Sequence, residues 1–253
     1  MRPETITDQR ALAAASNNDP FVLYDAALQA GETAYRHGSA LAMRLVPHFS
    51  LRPPRACVIG PDDSDAAQLL DWVAREQPWA PRVAAISVER HREPSLHHHF
   101  RVGTGGNWDW LWSDSLPART PVEDRLIELD DAADAEEITR LNELGNPTAE
   151  SEPGTDRTER WVGARHESAL VGAAALHRSQ TGHGVLTGIV THPEHRGEGL
   201  GRAMTANLTR GCVAADGVAT LGMYADNSAA RALYASLGYR VAHAFASRLV
   251  RPL

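Results

Sequence analysis

A strand, a glycine-rich turn and a helix follow one another between residues 184 and 212, in the stretch GVLTGIVTHPEHRGEGLGRAMTANLTRGC. The apolar run from Val185 to Val190 is typical of a largely buried strand. His192-Pro193 ends that strand, because proline cannot donate to a strand ladder. Apolar residues then recur at every fourth position, as on the buried face of a helix: Leu200, Met204, Leu208 and Cys212. The sequence therefore places a helix N-terminus directly after the turn.

The turn has the composition of an anion site. The first N–H groups of a helix have no partner inside it, and the helix dipole adds roughly half a positive charge there. Glycines at positions 197, 199 and 201 omit the Cβ atoms that would hold a ligand off those amides, and Arg196 adds a guanidinium. A pyrophosphate suits such a turn. The spacing does not match the dinucleotide fingerprint G-x-G-x-x-G, and a P-loop is excluded because the chain contains no lysine.

These residues resemble the acyl-CoA loop of the GNAT (Gcn5-related N-acetyltransferase) superfamily. Arg196 to Gly201 matches the family pattern R/Q-x-x-G-x-G/A, and Val190 to Pro193 matches its V-x-H-P lead-in. A second family signature follows at the expected distance, as NSAARALY ending at Tyr234 and then LGY ending at Tyr239. Two signatures in the right order are more specific than either alone. The resemblance covers residues 122–253.

The resemblance implies an α/β (α+β) fold with a mixed, mostly antiparallel central sheet flanked by helices. It also implies acetyl-CoA as co-substrate, with the main chain of the strand before the turn holding the pantetheine arm and the reacting carbonyl oxygen. The cofactor-binding residues that it implies are Ile189, Val190, Thr191, Arg196, Gly197, Glu198, Gly199, Leu200, Gly201, Arg202 and Asn227. Asn227 is also expected to cap the helix that follows it.

Tyr234 matches the general-acid position of the family, where a phenol would protonate the leaving thiolate. The competing interpretation is a core tyrosine whose hydroxyl is satisfied by the protein. The general base is open: Thr187 stands where many family members have a glutamate, and threonine cannot take a proton from an ammonium. Deprotonation could run through water, His183, His192 or a carboxylate of the first half of the chain.

Two function classes follow. The first is an acyl-CoA-dependent N-acyltransferase that moves an acetyl group to a primary amine by direct attack in a ternary complex. The alternative is a non-catalytic acyl-CoA-binding regulator with the same fold, and an O-acyl acceptor is a lesser variant of the first class.

The two cysteines, Cys57 and Cys212, form no disulfide framework or metal pattern. Because Cys212 lies on the apolar stripe of a helix, a cysteine acyl-enzyme is disfavoured.

The polar, proline-bearing segment from Ser115 to Pro121 predicts two domains, over residues 1–118 and 122–253. In the first, strands are expected at 39–46, 56–60 and 83–88, a helix at 64–76 and a strand pair over 100–112 about the glycines at 103–106. In the second, strands are expected at 125–129, 160–165, 169–177, 185–190, 218–224 and 239–250, with helices at 132–144, after 200 and from 227 to 238.

The order of strands and helix expected in the first domain indicates a GNAT-like or α/β unit. Its turn, Pro61 to Asp65, carries three carboxylates that would repel a pyrophosphate, so a degenerate unit without a cofactor site is predicted.

Three further features have competing interpretations. The run from His97 to His99 resembles a metal site, but consecutive strand residues point to alternate faces, and a solvated turn is favoured. Tryptophans at 108, 110 and 112 line one face of a strand, as core packing or as an aromatic wall. The polar loop from Asn146 to Asp156 is either a substrate lid or a surface connection.

A net charge of −7 disfavours nucleic acid and anionic membranes as partners. No run approaches the ~20 apolar residues of a membrane span, and the N-terminal sequence has no signal-peptide core, so a cytoplasmic protein is expected. The expected acceptor is a small-molecule or peptide amine, no metal is expected, and a homodimer is open.

Overall fold

The computed structural model describes residues 2–46 and 53–253. The first part of the chain forms β1 (Glu4–Ile6), α1 (Gln9–Ala15), α2 (Pro20–Tyr24), β2 (Ala34–His37), β3 (Ala40–Leu45), β4 (Arg55–Ile59), α3 (Asp63–Glu76), β5 (Ala85–Glu89) and β6 (Phe100–Ser113). The second part forms β7 (Leu126–Leu129), α4 (Ala135–Gly145), β8 (Arg160–His166), β9 (Ala169–Arg178), β10 (Gly184–Thr191), α5 (Leu200–Asp216), β11 (Ala219–Tyr224), α6 (Ser228–Ser236) and β12 (Arg240–Pro252). Short 3₁₀ segments lie at Arg90–His98, Pro121–Arg125 and Pro193–His195.

The chain divides into two compact units. Unit 1 consists of the described residues of Met1–Trp110, Met223–Asn227 and Val241–Leu253, and unit 2 consists of Leu111–Gly222 and Ser228–Arg240. Strands in unit 1 run in the order β1-β2-β3-β4-β5-β12-β6, and those in unit 2 in the order β11-β10-β9-β8-β7. The pairs β4/β5 and β10/β11 are parallel, while the other pairs whose registers are known are antiparallel. The expected mixed, mostly antiparallel sheet flanked by helices is confirmed.

Helices cover both faces of the unit 2 sheet. On one face, Ile138 and Leu141 of α4 pack against Trp161 and Val190 in a buried cluster. On the other face, α5 lies against β9, where a Cβ at Gly172 would come within 3.1 Å of the Met204 methyl group. The residues expected on the inner stripe of α5 are all buried: Leu200, Met204, Leu208 and Cys212. The periodicity of that helix therefore predicted its packing.

The expected strand pair over residues 100–112 is wrong, because β6 is one continuous strand. The glycines there allow close approach of β12 rather than a turn. A Cβ at Gly105 would collide with the carbonyl oxygen of Ser247, and one at Gly103 would lie 3.3 Å from Leu249 Cβ. Trp110 is buried and bonds Asp25 through its ring N–H, while Trp108 packs on Phe245, as core packing requires.

The C-terminal strand β12 also departs from the expected domain boundary. Its residues from Val241 onward belong to unit 1, where Phe245 to Leu249 pair antiparallel with Glu89 to Ala85 of β5. Val250 completes the apolar cluster of that unit. Hydrophobic burial in unit 1 thus decides the position of a strand that follows unit 2 in sequence.

The histidine run lies at the end of a 3₁₀ helix, which includes His97 and His98. No metal-binding group of side chains is found among residues 2–46 and 53–253.

No helix of the described chain combines the length and the apolar character that crossing a membrane requires.

Candidate functional site

Strand β10 is bent by a bulge close to its C-terminal end. Its ladder with β9 pairs Thr187 with Ala175 and then Val190 with Ala173, so one extra residue is inserted on β10 between these pairs. Gly188 takes φ +57°, and a Cβ there would lie 2.8 Å from Ser151 Cβ. Both the backbone conformation and the space require glycine at this position.

Beyond the bulge, β10 separates from its parallel neighbour. The β10/β11 ladder covers Gly184 to Leu186 and stops there, although both strands are described in full. From Thr187 to Thr191, β10 therefore has no strand partner on its β11 side within the described chain. This stretch contains Ile189, Val190 and Thr191, whose main chain the sequence assigned to cofactor binding. Val190 is buried, while Ile189 and Thr191 are partly exposed.

Within the described part of the chain, no side chain caps the N-terminus of α5. Gly199 is the N-cap residue with φ +84°, and the first turn contains no carboxylate. The first N–H with a main-chain acceptor at this end is that of Ala203, which donates to Gly199 O over 2.9 Å. The amides of residues 200–202 thus remain available for an anionic ligand.

Backbone conformation favours glycine at one position of the turn, and the space in front of the main chain matters at another. Gly197, with φ +86°, has no neighbour that a Cβ would meet within 4 Å, so conformation rather than crowding selects glycine there. Gly201 has an ordinary backbone conformation, and a Cβ there would lie 3.7 Å from both Leu233 Cδ1 and Thr191 Oγ1. The space in front of Gly201 is therefore the space between the end of β10 and α6.

Side chains of the turn are held by other parts of unit 2. The exposed Arg196 guanidinium donates to Gly145 O, at the end of α4, over 2.8 Å. Glu198 accepts from Arg125 Nη1 at 2.9 Å and lies 2.8 Å from His195 Nδ1, and these partners lower the pKa of its carboxyl group. Arg202 bonds Ser236 on α6. These contacts fix the turn between the neighbouring helices and leave ligand contacts to the main chain.

Tyr234 lies on α6 with 8% of its surface exposed. Burial raises the pKa of its phenol to about 12. No hydrogen bond joins its hydroxyl to another group of the described residues. The neighbouring Tyr239, whose ring centre is 5.8 Å away, bonds Thr209 Oγ1 over 2.8 Å. Tyr239 thus has the contacts of a structural core tyrosine, whereas the Tyr234 hydroxyl has no partner among the described residues.

Thr187 does not occupy the site as a proton acceptor. Its hydroxyl donates to Glu150 O in the loop between α4 and β8. The same loop places Ser151 at the bulge, and Asn146 Nδ2 lies 3.5 Å from Ile189 O. The loop from Asn146 to Asp156 therefore packs along the bent part of β10, and its role as a substrate lid or a surface connection stays a prediction.

The two candidate histidines lie at opposite ends of β10. His183 precedes the strand and its Nδ1 lies 2.9 Å from Thr181 Oγ1. Ile189 lies six positions further along the chain, which is about 20 Å along an extended strand. His192 follows Thr191 directly, and its Nδ1 accepts from Glu194 N at 3.3 Å. His192 is therefore the one of this pair at the open end of β10.

Asn227 immediately precedes α6, and its N–H donates to Tyr224 O over 3.1 Å. By its contacts it belongs to unit 1, and its expected roles as a helix cap and cofactor contact stay predictions.

Cys212 is buried, and burial raises the pKa of its thiol to about 12. A thiol with that pKa is no nucleophile at neutral pH.

Sequence reasoning missed the residues that support the turn from afar. Val122 is the neighbour that a Cβ at Gly199 would meet, at 3.5 Å, and Arg125 binds Glu198 from 73 positions earlier in the chain. Both lie in or beside a 3₁₀ segment of ordinary composition. No local pattern signals such long-range support.

Comparison with known proteins agrees with this geometry. Residues 161–248 match the family model of FR47-like protein. No curated protein sequence matches the chain. Among solved structures, the chain is similar to a protein assigned to the GNAT acetyltransferases from Novosphingobium aromaticivorans, with 22% identity, a TM-score of 0.54, and coverage of 95% of this chain and 96% of that one.

Two further structures are similar over nearly their whole lengths. A GCN5-related N-acetyltransferase from Kribbella flavida has 18% identity and a TM-score of 0.51, covering 98% of this chain and 97% of that one. A GNAT-family acetyltransferase from Colwellia psychrerythraea has 11% identity and a TM-score of 0.55, covering 99% and 100%. At these identities the likeness shows the fold. The chain has the GNAT fold, and its N-terminal half is matched by GNAT structures as well, as the sequence resemblance predicted.

Proposed function

We propose that the protein is an acyl-CoA-dependent N-acyltransferase that transfers an acetyl group from acetyl-CoA to a primary amine of a small molecule or peptide, in a ternary complex. One observation carries the proposal: β10 leaves its parallel neighbour after Leu186, next to a helix N-terminus that no side chain caps. A strand edge and a row of free amides together suit a ligand with an amide-bearing arm and a pyrophosphate.

The residues present fit acetyl-CoA. The amides of residues 200–202 would bind the pyrophosphate, because the helix dipole and the missing cap both favour an anion there. The space in front of Gly201 is large enough to accept a methyl group, so a ligand can approach the main chain closely. Main-chain groups of Ile189 to Thr191 would bond the pantetheine arm as an added strand does.

Bound acetyl-CoA supplies an activated thioester, which an amine can attack without a covalent enzyme intermediate. A main-chain N–H of β10 at residues 189–191 would stabilise the negative charge that develops on the carbonyl oxygen. Tyr234 would donate its hydroxyl hydrogen to the sulfur as the carbon–sulfur bond breaks. Its raised pKa keeps the phenol protonated across the physiological range, and the same burial favours the neutral thiol over the thiolate.

We assign the removal of the amine proton to His192, directly or through water. Thr187 has no basic group and is bonded to Glu150 O, and His183 lies about 20 Å from the open end of β10. Because Nδ1 of His192 accepts from the Glu194 amide, Nδ1 is the unprotonated nitrogen of the neutral ring and would take the proton as that contact opens.

The decisive experiment is a calorimetric titration of the protein with acetyl-CoA and with CoA. Saturable binding at one site per chain, together with thiol release when an amine library is added, is the expected result. A folded protein that binds neither compound would refute both the transferase and the regulator.

The regulator is the second candidate, and the absence of a glutamate at Thr187 favours it. Tyr234→Phe separates the two functions, with Tyr239→Phe as its matched control. If Tyr234 is the acid, Tyr234→Phe lowers kcat by about 10²-fold or more while acetyl-CoA affinity holds. Tyr239→Phe removes the bond to Thr209 and is expected to lower the melting temperature rather than kcat. Equal turnover by wild type and Tyr234→Phe would remove Tyr234 from the mechanism.

His192→Asn tests the base, because asparagine keeps an acceptor for the Glu194 amide but takes no proton. The expected result is a kcat lowered about 10²-fold and loss of the acidic limb of the pH–rate profile. His183→Asn, at the other end of β10, should leave the profile unchanged. An unaltered acidic limb in His192→Asn would assign the limb to another group.

A further inference from the structure

Unit 1 contains a cavity of about 480 Å³ at the carboxyl ends of β4 and β5. The charged or titratable side chains on its wall are Asp19, Asp63, Glu89, His91, Arg92 and His243. This volume lies in the range typical of small-molecule sites, about 300–1,000 Å³. The proposed acyl transfer uses none of these residues, so ligand binding in this cavity is independent of it.

Arg92 is a buried cation with unused hydrogen-bonding capacity. Its side chain is 6% exposed, and its Nε donates to Asp63 Oδ1 over 2.6 Å. Its Nη1 atom is buried, and no acceptor for it is found within residues 2–46 and 53–253. A buried guanidinium N–H without an acceptor costs several times the net value of an ordinary hydrogen bond. Arg92 lines the cavity, so an anionic oxygen bound there would lie beside this guanidinium.

A second group of charged side chains on the wall favours a cationic group rather than an anionic one. His243 Nε2 lies 3.0 Å from both carboxylate oxygens of Asp19, and its Nδ1 lies beside Glu89 Oε1 at 2.5 Å. One imidazolium thus faces two carboxylates, which keeps excess negative charge in this part of the cavity. Asp19 Oδ1 also caps α2 by accepting from the Phe21 amide over 2.9 Å, so the acceptor capacity left for a ligand lies on Asp19 Oδ2 and on Glu89.

A ligand with a single charge would fit half of this wall. A simple carboxylate would satisfy Arg92 but would also face Asp19 and Glu89. A simple amine would satisfy those carboxylates but would leave the Arg92 Nη1 atom unpaired. We propose that this cavity binds a small zwitterion of the amino-acid class, with its carboxylate on Arg92 and its ammonium group on Asp19 and Glu89.

The test is calorimetric titration of the full chain with the free L-amino acids, and with acetate and ethylamine as ligands that carry one charge each. At least one amino acid should bind saturably at one site per chain, and acetate and ethylamine should bind at least tenfold more weakly. Arg92→Gln should weaken the amino acid at least tenfold, and Arg92→Lys should weaken it less. Arg75→Gln, on the exposed face of α3 where Arg75 pairs with Asp71, should leave the affinity unchanged.

Three results would overturn the proposal. These are no binding by any amino acid at millimolar concentration, equal binding of acetate or ethylamine, and unchanged affinity in Arg92→Gln with a circular dichroism spectrum like that of the wild type. If Arg92→Gln does not fold, Arg92→Lys takes its place, and full affinity in that variant together with equal acetate binding would refute the assigned geometry. None of these outcomes depends on acetyl-CoA binding in unit 2, which is titrated separately.

Discussion

Two crossovers in this protein share a topology and differ in chemistry. Each runs from a strand through a helix to a parallel neighbouring strand, as β4–α3–β5 in unit 1 and β10–α5–β11 in unit 2. In unit 1 the ladder covers Arg55 to Val58 of the five-residue strand β4. In unit 2 it stops at Leu186, leaving the last five residues of β10 without that neighbour. A strand that stays paired has no main-chain groups to offer a ligand.

The helix N-termini repeat this difference. Asp62 caps α3 by accepting from the Asp65 amide over 2.9 Å, and Asp63 and Asp65 add two carboxylates to the first turn. Asp65 also accepts from Ser39 N, and these contacts lower the pKa of its carboxyl group. The α5 terminus has Gly199 in the cap position and no carboxylate. The two crossovers therefore present helix N-termini of opposite character, and the carboxylates of α3 disfavour an anion at the first one.

The largest expected effect comes from giving α5 the charge that α3 carries. Gly201→Asp places its Cβ at ordinary contact distances, and a carboxylate in a first turn favours the helix, so the fold should be kept. Repulsion of the pyrophosphate should weaken acetyl-CoA at least a hundredfold, roughly 3 kcal/mol, as measured by calorimetry.

Gly211→Asp is the control, because it makes the same change ten residues along α5, at an exposed position 4.0 Å from Arg160 Nη1. Its affinity should match the wild type. Tight binding by Gly201→Asp would show that the free amides of α5 are not the phosphate site.

A smaller effect is expected from the charges at the end of β5. Asp19 and Glu89 outweigh the cost of burial and raise the pKa of His243 to about 9. A folded-state pKa above the unfolded value of about 6.5 means stabilisation that is complete below pH 6.5 and lost as the pH rises through 9. His243→Gln should therefore lower the free energy of unfolding by about 2–3 kcal/mol at pH 6 and by much less at pH 9.5.

Urea denaturation of both proteins between pH 6 and pH 10 measures this difference. A gap between wild type and His243→Gln that does not narrow with rising pH would mean that packing against Phe21 and Phe245, rather than charge, accounts for the role of His243.

The smallest effect concerns the cap that distinguishes α3. Asp62→Ala removes the acceptor of the Asp65 amide and should lower the free energy of unfolding by about 1 kcal/mol. Asp71→Ala on the same helix removes an exposed pair with Arg75, which is worth about 0.3–0.5 kcal/mol. Chemical denaturation compares the two variants, and equal losses would show that the α3 cap contributes nothing beyond a surface ion pair.

Much of unit 2 could be predicted because its signals are local. The four-residue spacing of Leu200 to Cys212 indicated the buried face of α5, and Gly238 ends the segment after α6 with φ +88° as a left-handed residue there requires. Helix and strand periods are properties of a few turns of chain, so they can be read without knowing any distant partner. The carboxylates at the start of α3, which disfavour an anion there, could likewise be predicted from the sequence.

Other features depend on partners far along the chain. The glycines of β6 indicated a turn, yet they serve the approach of β12 from more than 140 positions away. The bulge at Gly188 and the end of the β10/β11 ladder leave no mark in composition, because register is set by packing on both faces of the sheet.

By itself the sequence determined the strand, turn and helix that form the candidate cofactor site, the glycine at the cap position 199, and the presence of Tyr234 and Tyr239 in the second signature. Tertiary structure decided which tyrosine keeps a free hydroxyl, since Thr209 bonds Tyr239 and no described group bonds Tyr234. It also decided that β10 opens beyond Leu186 and that β12 completes unit 1. The physical reason is the same in each case: periodicity and propensity act over a few residues, whereas hydrogen-bond partners and strand neighbours are selected by burial of the whole chain.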